Sequence, residues 1–459
     1  MLTKLRIKNF KAWKDTGDVR LAPLTVLFGS NSAGKSSLGH LLLALKQTAA
    51  STDRRRALDT GDASSLVDLG TFVDCLHRHD REALLQFELE WSSAMHVKDT
   101  LDKHPPISSA FLSLTSTLAA SPQEQPEVRR IVYELRDGAH AAVLHAALKG
   151  SEGSKWTLDV KPYRLVHAVG RKWPVEGPEK FYRVSERSLA RYQNAGFLAE
   201  LALEVERNLG ALSYLGPLRD HPRRSYTWSG NTPPDVGPKG ELAIAAILAA
   251  KAAGRQLNRG AKQHRQRFDE LIASELVALG VIDSFVVEQT AEGRKDYEVK
   301  VRTRGGLTDV ALPDVGFGVS QVLPALVQAF YCPPGSTVWM EQPEIHLHPQ
   351  VQAQLADTFI TAIRAREGSP RDVQLVVETH SEHFLNRLQR RIAEATLAPH
   401  DVAIYFARST TNGAELEELK VNEYGDITNW PDNFFGDEMG DIVARTQAAA
   451  ARREKAARR

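Results

Sequence analysis

Apolar and polar positions alternate at the start of the chain, with Leu2, Leu5, Ile7 and Phe10 carrying the apolar beat, and a turn-rich stretch then leads to Leu24-Thr25-Val26-Leu27-Phe28. Both patterns predict strands. From Ala83 to about Val184, runs such as Leu85–Trp91 and Arg130–Leu135 are separated by polar or glycine-bearing turns, which predicts a β-rich lobe. Within it, Lys103–Gln125 is loaded with Pro, Ser and Thr and reads as a loop with one short helix at most.

Between Glu186 and Leu279 the texture turns helical, in Ala-rich, charged segments around Leu198–Leu209 and Gly240–Leu279. Strand patterns resume at Phe285–Gln289 and Tyr297–Arg302. Apolar runs at Val338–Met340, Leu375–Val377 and Val402–Phe406 then alternate with helical stretches, which implies a parallel sheet. The closing ARREKAARR has too few large apolar groups to pack and predicts a frayed basic tail. No internal repeat or long heptad array is present, so no extended coiled-coil arm is expected. These changes of texture divide the chain into 1–184, with the β-rich lobe; 185–284, a helical insertion; 285–410, a second α/β part; and 411–459, a small C-terminal module with its tail.

The strongest chemistry follows the strand ending at Phe28. Gly29-Ser30-Asn31-Ser32-Ala33-Gly34-Lys35-Ser36, continuing into Ser37, fits the phosphate-binding loop G-x-x-x-x-G-K-[ST] at every fixed position. Leu38, Leu41, Leu42 and Leu45 then set an apolar stripe at helical spacing, so strand, loop and helix occur in the required order. Glycines let backbone N–H groups close around phosphates, and the helix N-terminus adds partial positive charge. Lys35 supplies a full charge, and the Ser36 hydroxyl suits Mg²⁺, which takes hard oxygen ligands. ATP and Mg²⁺ are the cofactors this implies.

Downstream, Thr337–Met340 runs into Glu341-Gln342-Pro343-Glu344-Ile345-His346-Leu347-His348-Pro349. That places carboxylates at the C-terminal end of a strand, the edge where open α/β sheets bind ligands. Glu341 is positioned to hold Mg²⁺ through water, opposite Ser36. Leu375–Val377 leads in the same way to Glu378-Thr379-His380-Ser381, where His380 could reach a terminal phosphate or its attacking water. His346 and His348 stand two residues apart but lack further Cys or His nearby, so packing outweighs a metal site. Before the acidic strand, Asp314–Gln321 precedes a helical pattern at Val322–Val327. Ser320 is the expected N-cap there, with Pro324 in the first turn.

Composition narrows the class without choosing a partner. Fifty-eight Lys and Arg against 57 Asp and Glu leave a net charge of +1, so a nucleic-acid face would have to be local. Two distant cysteines, Cys75 and Cys332, give no disulfide framework and fit a reducing, cytoplasmic compartment. No apolar run approaches the roughly 18 residues that span a bilayer, so no membrane partner is expected.

Taken together, the P-loop, the glycine-serine segment, the acidic strand end and the Thr-His-Ser stretch resemble the ATPase head shared by ABC transporters, SMC and RecF-like proteins. The opening Leu5–Lys11 is also similar to that group. Glu341–Pro349 resembles more closely the overcoming-lysogenisation-defect (OLD) class of bacterial AAA ATPases. Tyr214-Leu-Gly-Pro-Leu-Arg219 and Trp430–Phe435 resemble the branch that ends in a small domain of unknown function. The resemblance implies an α/β fold: an ABC-type P-loop ATPase head with a β-rich N-terminal lobe, a helical insertion and a mostly parallel core sheet. It further implies a homodimer or higher even oligomer in which the signature segment of one head, here Gly316, Gly318 and Ser320, meets the γ-phosphate held by the other. The family's catalytic glutamate position is Gln342 here, a poor proton acceptor, so Glu344 would have to substitute or hydrolysis would be slow. Asp68-Leu69-Gly70 stands where the family's γ-phosphate-sensing loop is found.

The acidic set of a Toprim nuclease does not follow His380, so a separate nuclease or toxin subunit is the effector the resemblance suggests. Phage defence and DNA repair both remain open. DNA as a partner draws on Lys251, Arg255, Arg259, Lys262, Arg265 and Arg267, in a stretch without acids, which a solvated face explains equally well. The alternative is an ATP-gated scaffold with poor hydrolysis that holds or releases its effector.

Overall fold

The computed structural model describes residues 1–151, 155–170, 173–431, 434 and 444–449. In chain order, the N-terminal strands are β1 (Leu2–Phe10), β2 (Trp13–Asp15), β3 (Val19–Arg20) and β4 (Leu24–Gly29), followed by helices α1 (Lys35–Ala50) and α2 (Phe72–Cys75). A meander of long strands comes next: β5 (Leu85–Val97), β6 (Ile107–Ala120), β7 (Pro126–Arg136), β8 (Ala142–Ser151) and β9 (Lys155–Lys161). With β1, β2 and β3 these form an eight-stranded antiparallel sheet. The expected loop at Lys103–Gln125 is therefore corrected to a central strand, β6, bonded to β5 and β7 on both edges. Its Ser and Thr content hid a period of two in which Leu112, Leu114, Ser116 and Leu118 all face the core.

The middle of the chain holds α3 (Glu186–Leu189), α4 (Phe197–Gly210), β10 (Leu212–Leu215), β11 (Tyr226–Thr227), α5 (Ala243–Ala252), β12 (Gln256–Leu257), β13 (Gln266–Arg267) and α6 (Phe268–Ala278). Helices predominate, yet the stretch is not a separate helical unit. Leu198, Leu201, Val205 and Leu209 of α4 join the core under the N-terminal sheet, and β10 enters the central sheet. Strands β14 (Ile282–Gln289) and β15 (Asp296–Thr303) form an antiparallel hairpin in a small sheet with β11 and β16 (Val310–Ala311), outside the parallel layer. Then follow α7 (Phe317–Tyr331), β17 (Thr337–Glu341), α8 (Pro349–Arg364), β18 (Arg366–Glu367), β19 (Ser369–Pro370), β20 (Gln374–Glu378), α9 (Glu382–Ala393), β21 (Val402–Thr410) and β22 (Gly413–Glu418).

The central sheet runs β10-β17-β20-β4-β21-β22 and is parallel except for β22. Strands β17 and β20 are buried at all five positions, as parallel strands covered on both faces must be. Their register pairs Glu341 with Glu378, so two carboxylates leave the same sheet edge side by side. Strand β22 lengthens this sheet, so the chain beyond 411 begins as part of the core layer. Farther on, the Phe434 ring packs against Phe406, Trp430 and Phe28, at centroid distances of 4.7, 5.4 and 5.5 Å. The expected basic tail lies outside the described residues. The structure is an α/β P-loop fold with a β-rich lobe, as the residues and the resemblance led us to expect.

Candidate functional site

Strand β4 delivers the phosphate-binding loop to the C-terminal edge of the parallel sheet. Gly29 has φ of 140°, and a Cβ there would lie 2.1 Å from the carbonyl oxygen of Ala407 on β21, so the turn requires glycine. Lys35 is only 6% exposed, and its Nζ donates to the carbonyls of Gly29 (2.9 Å) and Ser30 (2.8 Å), which holds the ammonium inside the loop. Residues 31–37 line a cavity of about 340 Å³ whose other walls include Lys11, His40, Gln342, Glu378 and His380. The stripe expected on α1 is buried: Leu38, Leu41, Leu42 and Leu45 anchor the helix beneath the sheet.

Ser36 Oγ donates to Glu378 Oε2 at 2.8 Å. This carboxylate also accepts from Trp339 Nε1 at 2.7 Å, through its other oxygen. The pairing depends on Gly39, because a Cβ at that position would come within 2.5 Å of the Trp339 ring and push α1 off the sheet. Glu341 lies beside this pair and is within hydrogen-bonding reach of Ser36 as well. Its Oε1 accepts from the Tyr214 hydroxyl at 2.8 Å and lies 3.5 Å from His40 Nε2. Arg219 Nη2 donates to the Glu341 carbonyl at 3.2 Å. The Tyr214–Arg219 segment thus grips one residue twice, at its carboxylate and at its backbone. Ser36, Glu341 and Glu378 present the hard oxygen donors that Mg²⁺ takes, and phosphates and waters normally complete its shell. Among the described residues no group of three or more His, Cys, Asp and Glu side chains is placed to hold a metal ion, so such an ion would lean on the nucleotide.

The electrostatics separate the two carboxylates. Burial and the neighbouring Glu341 charge raise the Glu378 pKa to about 8, so it is the member of the pair that tends to keep a proton. Burial pushes Glu341 up too, but His40 and Tyr214 outweigh it and hold that carboxyl below its ordinary value. Lys35 is pulled down by burial and held up by Glu378, Glu344 and Glu341. Burial and the Lys35 charge lower His380, favouring a neutral ring at the cavity wall.

A family model described as "AAA domain, putative AbiEii toxin, Type IV TA system" matches residues 152–386, just over half of the chain. The chain belongs to this AAA family. The matched stretch holds Glu341, Glu378 and His380 of the AAA site but begins after the P-loop, which stands on its own residues. A second model, "Protein of unknown function (DUF3696)", matches residues 397–444. No curated protein matches the chain. Among solved structures the AAA chain is similar to an SMC head bound to the C-terminal winged-helix domain of ScpA. Identity there is 11%, coverage 91% of this chain and 98% of that one, and the TM-score 0.44. It is also similar to the SMC head domain of Thermotoga maritima (10% identity, 92% and 99% coverage, TM-score 0.38). A third is an SMC head with an extended coiled coil bound to the C-terminal domain of ScpA, from Pyrococcus furiosus (11%, 91% and 96%, TM-score 0.38). With its P-loop, the protein is an ATP-binding member of this AAA family.

The remaining candidates lie at varied distances from this AAA site. Glu344 is buried, and its Oε1 accepts from the His380 backbone N–H at 2.8 Å, so it braces the turn beside the cavity wall. Gly316, Gly318 and Ser320 do not line the P-loop cavity of their own chain. Helix α7 begins at Phe317 with Gly316 as N-cap, which corrects the expected cap at Ser320. Ser320 is buried within the helix, and Pro324 sits in its interior, where it has no N–H for the Ser320 carbonyl. Asp68 accepts from the Gly70 N–H in a local turn, and none of Asp68, Leu69 and Gly70 lines the cavity. His348 caps α8 by accepting from the Gln350 N–H, whereas His346 faces a different cavity.

The basic stretch looks different once folded. Arg255 pairs with Glu367, Arg259 with Glu275, and both Lys251 and Arg267 with Asp269. Those acids come from outside Lys251–Phe268, so the run alone could not reveal them. Lys262 and Arg265 stay exposed, too few cations for a strong phosphate-binding face. No helix among the described residues is long and apolar enough to cross a membrane.

The sequence reading missed His40, Tyr214 and Glu378 as site residues. His40 was within reach, since it stands one helical turn after Ser36 on the same face of α1. Glu378 closes a buried strand just as Glu341 does, a repeated signal once the two strands are compared.

Proposed function

We propose that the chain binds ATP with Mg²⁺ in the P-loop cavity, closes on a second copy around it, and uses that cycle to control a separate effector. One observation carries the reading: Lys35, Ser36 and Glu378 line a single cavity, and Glu341 stands beside Glu378 on the neighbouring strand. In this assignment the backbone N–H groups of residues 31–36 and the Lys35 ammonium hold the phosphates. Ser36 and Glu341 hold the metal ion, which supplies charge neutralisation at the phosphates when bound. His380 donates to a terminal phosphate oxygen. Gly316, Gly318 and Ser320 act on the nucleotide of the opposing head. The family description names a type IV toxin–antitoxin system, which supports a role beside a second component, and the resemblance to the OLD class supports one in bacterial defence.

Gln342 favours slow turnover within this reading. It lines the cavity at the position of the usual base, whereas Glu344 is buried against the His380 backbone and is not among the described residues that line the cavity. The chain then works as an ATP-gated scaffold, long-lived when closed. Light scattering of the full chain with ATP and Mg²⁺, alongside a hydrolysis assay, tests both parts. A nucleotide-dependent dimer with slow release of phosphate is expected, and both are expected to disappear in Lys35→Ala. A wild-type chain that stays monomeric under saturating ATP would remove the closing step.

A further inference from the structure

The turn after β17 borders two cavities. Gln342 faces the P-loop cavity, whereas His346 lines another of about 410 Å³ together with Arg219, Asp220, His221, Lys239 and Gln321. This second space has the volume of a small-ligand pocket, and its charge is one-sided. Arg219 is 9% exposed. One of its nitrogens donates to the Glu341 carbonyl, while Nε and Nη1 have no hydrogen-bond partner among the described residues. Burial lowers its pKa only to about 10, so it remains a cation at neutral pH. Lys239 adds an exposed ammonium without an ion-pair partner among the described residues, and His221 is also exposed. Asp220 is the one carboxylate among the described lining residues, and Arg223 already pairs with it at 2.8 Å.

Nearby acids do not resolve the imbalance. The Glu341 carboxylate is engaged by Tyr214 and His40. Glu344 lies close enough to favour the Arg219 charge, yet shares no hydrogen bond with it among the described residues. A buried donor left unpaired costs about 1–3 kcal/mol, and a nearby oxyanion offsets a guanidinium charge that no carboxylate meets directly.

We propose that this cavity is a second oxyanion site, built to take the phosphoryl group of a small phosphate-bearing ligand beside the Lys239 ammonium, with the buried Arg219 charge behind it. Through the Arg219 bond to the Glu341 carbonyl, its occupancy is communicated to the strand end that holds the metal in the P-loop reading; only this coupling rests on that reading. The phosphate comes either from a ligand free in solution or from a nucleotide carried by a second copy of the chain.

The test uses the full chain and inorganic pyrophosphate, followed by calorimetry and light scattering. Lys35→Ala disables the P-loop, so saturable binding of pyrophosphate that persists in it reports the second site. Adding Lys239→Glu should weaken that binding at least tenfold, and because Lys239 is exposed the variant keeps its fold, checked by circular dichroism. Binding to a monomeric Lys35→Ala chain identifies a soluble ligand. A requirement for ATP-loaded wild-type copies, with a dimer formed, identifies the phosphate of a second copy. Absence of binding in both arms, or equal affinity with and without Lys239→Glu, overturns the proposal. ATP affinity of the single Lys35→Ala variant against wild type reports the P-loop reading separately, because the two can fail independently.

Discussion

The P-loop cavity and the Arg219 cavity meet at one strand end and differ in the carboxylates that stand beside their cations. On the P-loop side Lys35 faces Glu341, Glu344 and Glu378, and one of these carboxyls tends to keep its proton. On the other side Arg219 and Lys239 face Asp220, whose charge Arg223 already meets. An acidic wall beside a phosphate loop makes sense only if a cation arrives with the phosphates, because carboxylates repel a bare triphosphate. A cationic wall needs no such escort. The contrast separates a site whose chemistry suits a metal-nucleotide pair from one whose chemistry suits an anion alone.

Removing the charge at the centre of the first site should have the largest effect. Lys35→Ala should lower ATP affinity by roughly a hundredfold or more, about 3 kcal/mol for a buried charge-assisted contact. Calorimetry reads this directly, and undiminished affinity would place the nucleotide elsewhere. Next in size, Gln342→Glu should raise steady-state hydrolysis by about tenfold or more, since it supplies a proton acceptor where only an amide stands. A turnover assay that shows no gain would mean that water is activated from another residue. Tyr214→Phe comes third. Losing the hydroxyl that orients Glu341 should raise the Mg²⁺ concentration needed for half-maximal activity by about tenfold, within the range for outer-shell partners of metal ligands. Affinity for metal-free ATP should stay unchanged, and a loss there would make Tyr214 a general packing residue.

What the sequence revealed and what it hid follow from range. The P-loop is local: Gly29, Lys35, Ser36 and the Leu38 to Leu45 stripe lie within one strand-loop-helix unit, so pattern and structure coincide. The partner of Ser36 is not local. In the sheet, β20 lies between β17 and β4, so the strand beside the P-loop is the one ending in Glu378, and chain order alone does not say which strand that will be. Long-range pairing also explains the basic stretch, whose acids Glu275 and Glu367 come from α6 and β18. Strand β6 was hidden differently. Its serines and threonines carry turn statistics, while its burial is decided by the neighbours β5 and β7.

The smallest effect sharpens the acidic side of the comparison through pH. In the folded chain without nucleotide, Glu378 has its pKa raised to about 8 from an ordinary value of 4.5, by burial first and by the Glu341 charge second. The folded state therefore binds this proton more tightly than the unfolded state does. Its contribution to stability is complete below about pH 4.5 and is lost as pH rises through about 8. Many other groups titrate in that window, so the informative quantity is the difference between wild type and Glu378→Gln, which keeps the shape but cannot ionise. The variant's melting temperature should fall less steeply across that interval, with the two curves diverging by about 1–3 °C at the alkaline end. Parallel curves would mean that Glu378 is ionised throughout, leaving two charged carboxylates side by side and removing the distinction between Glu341 as the charged member and Glu378 as its protonated neighbour.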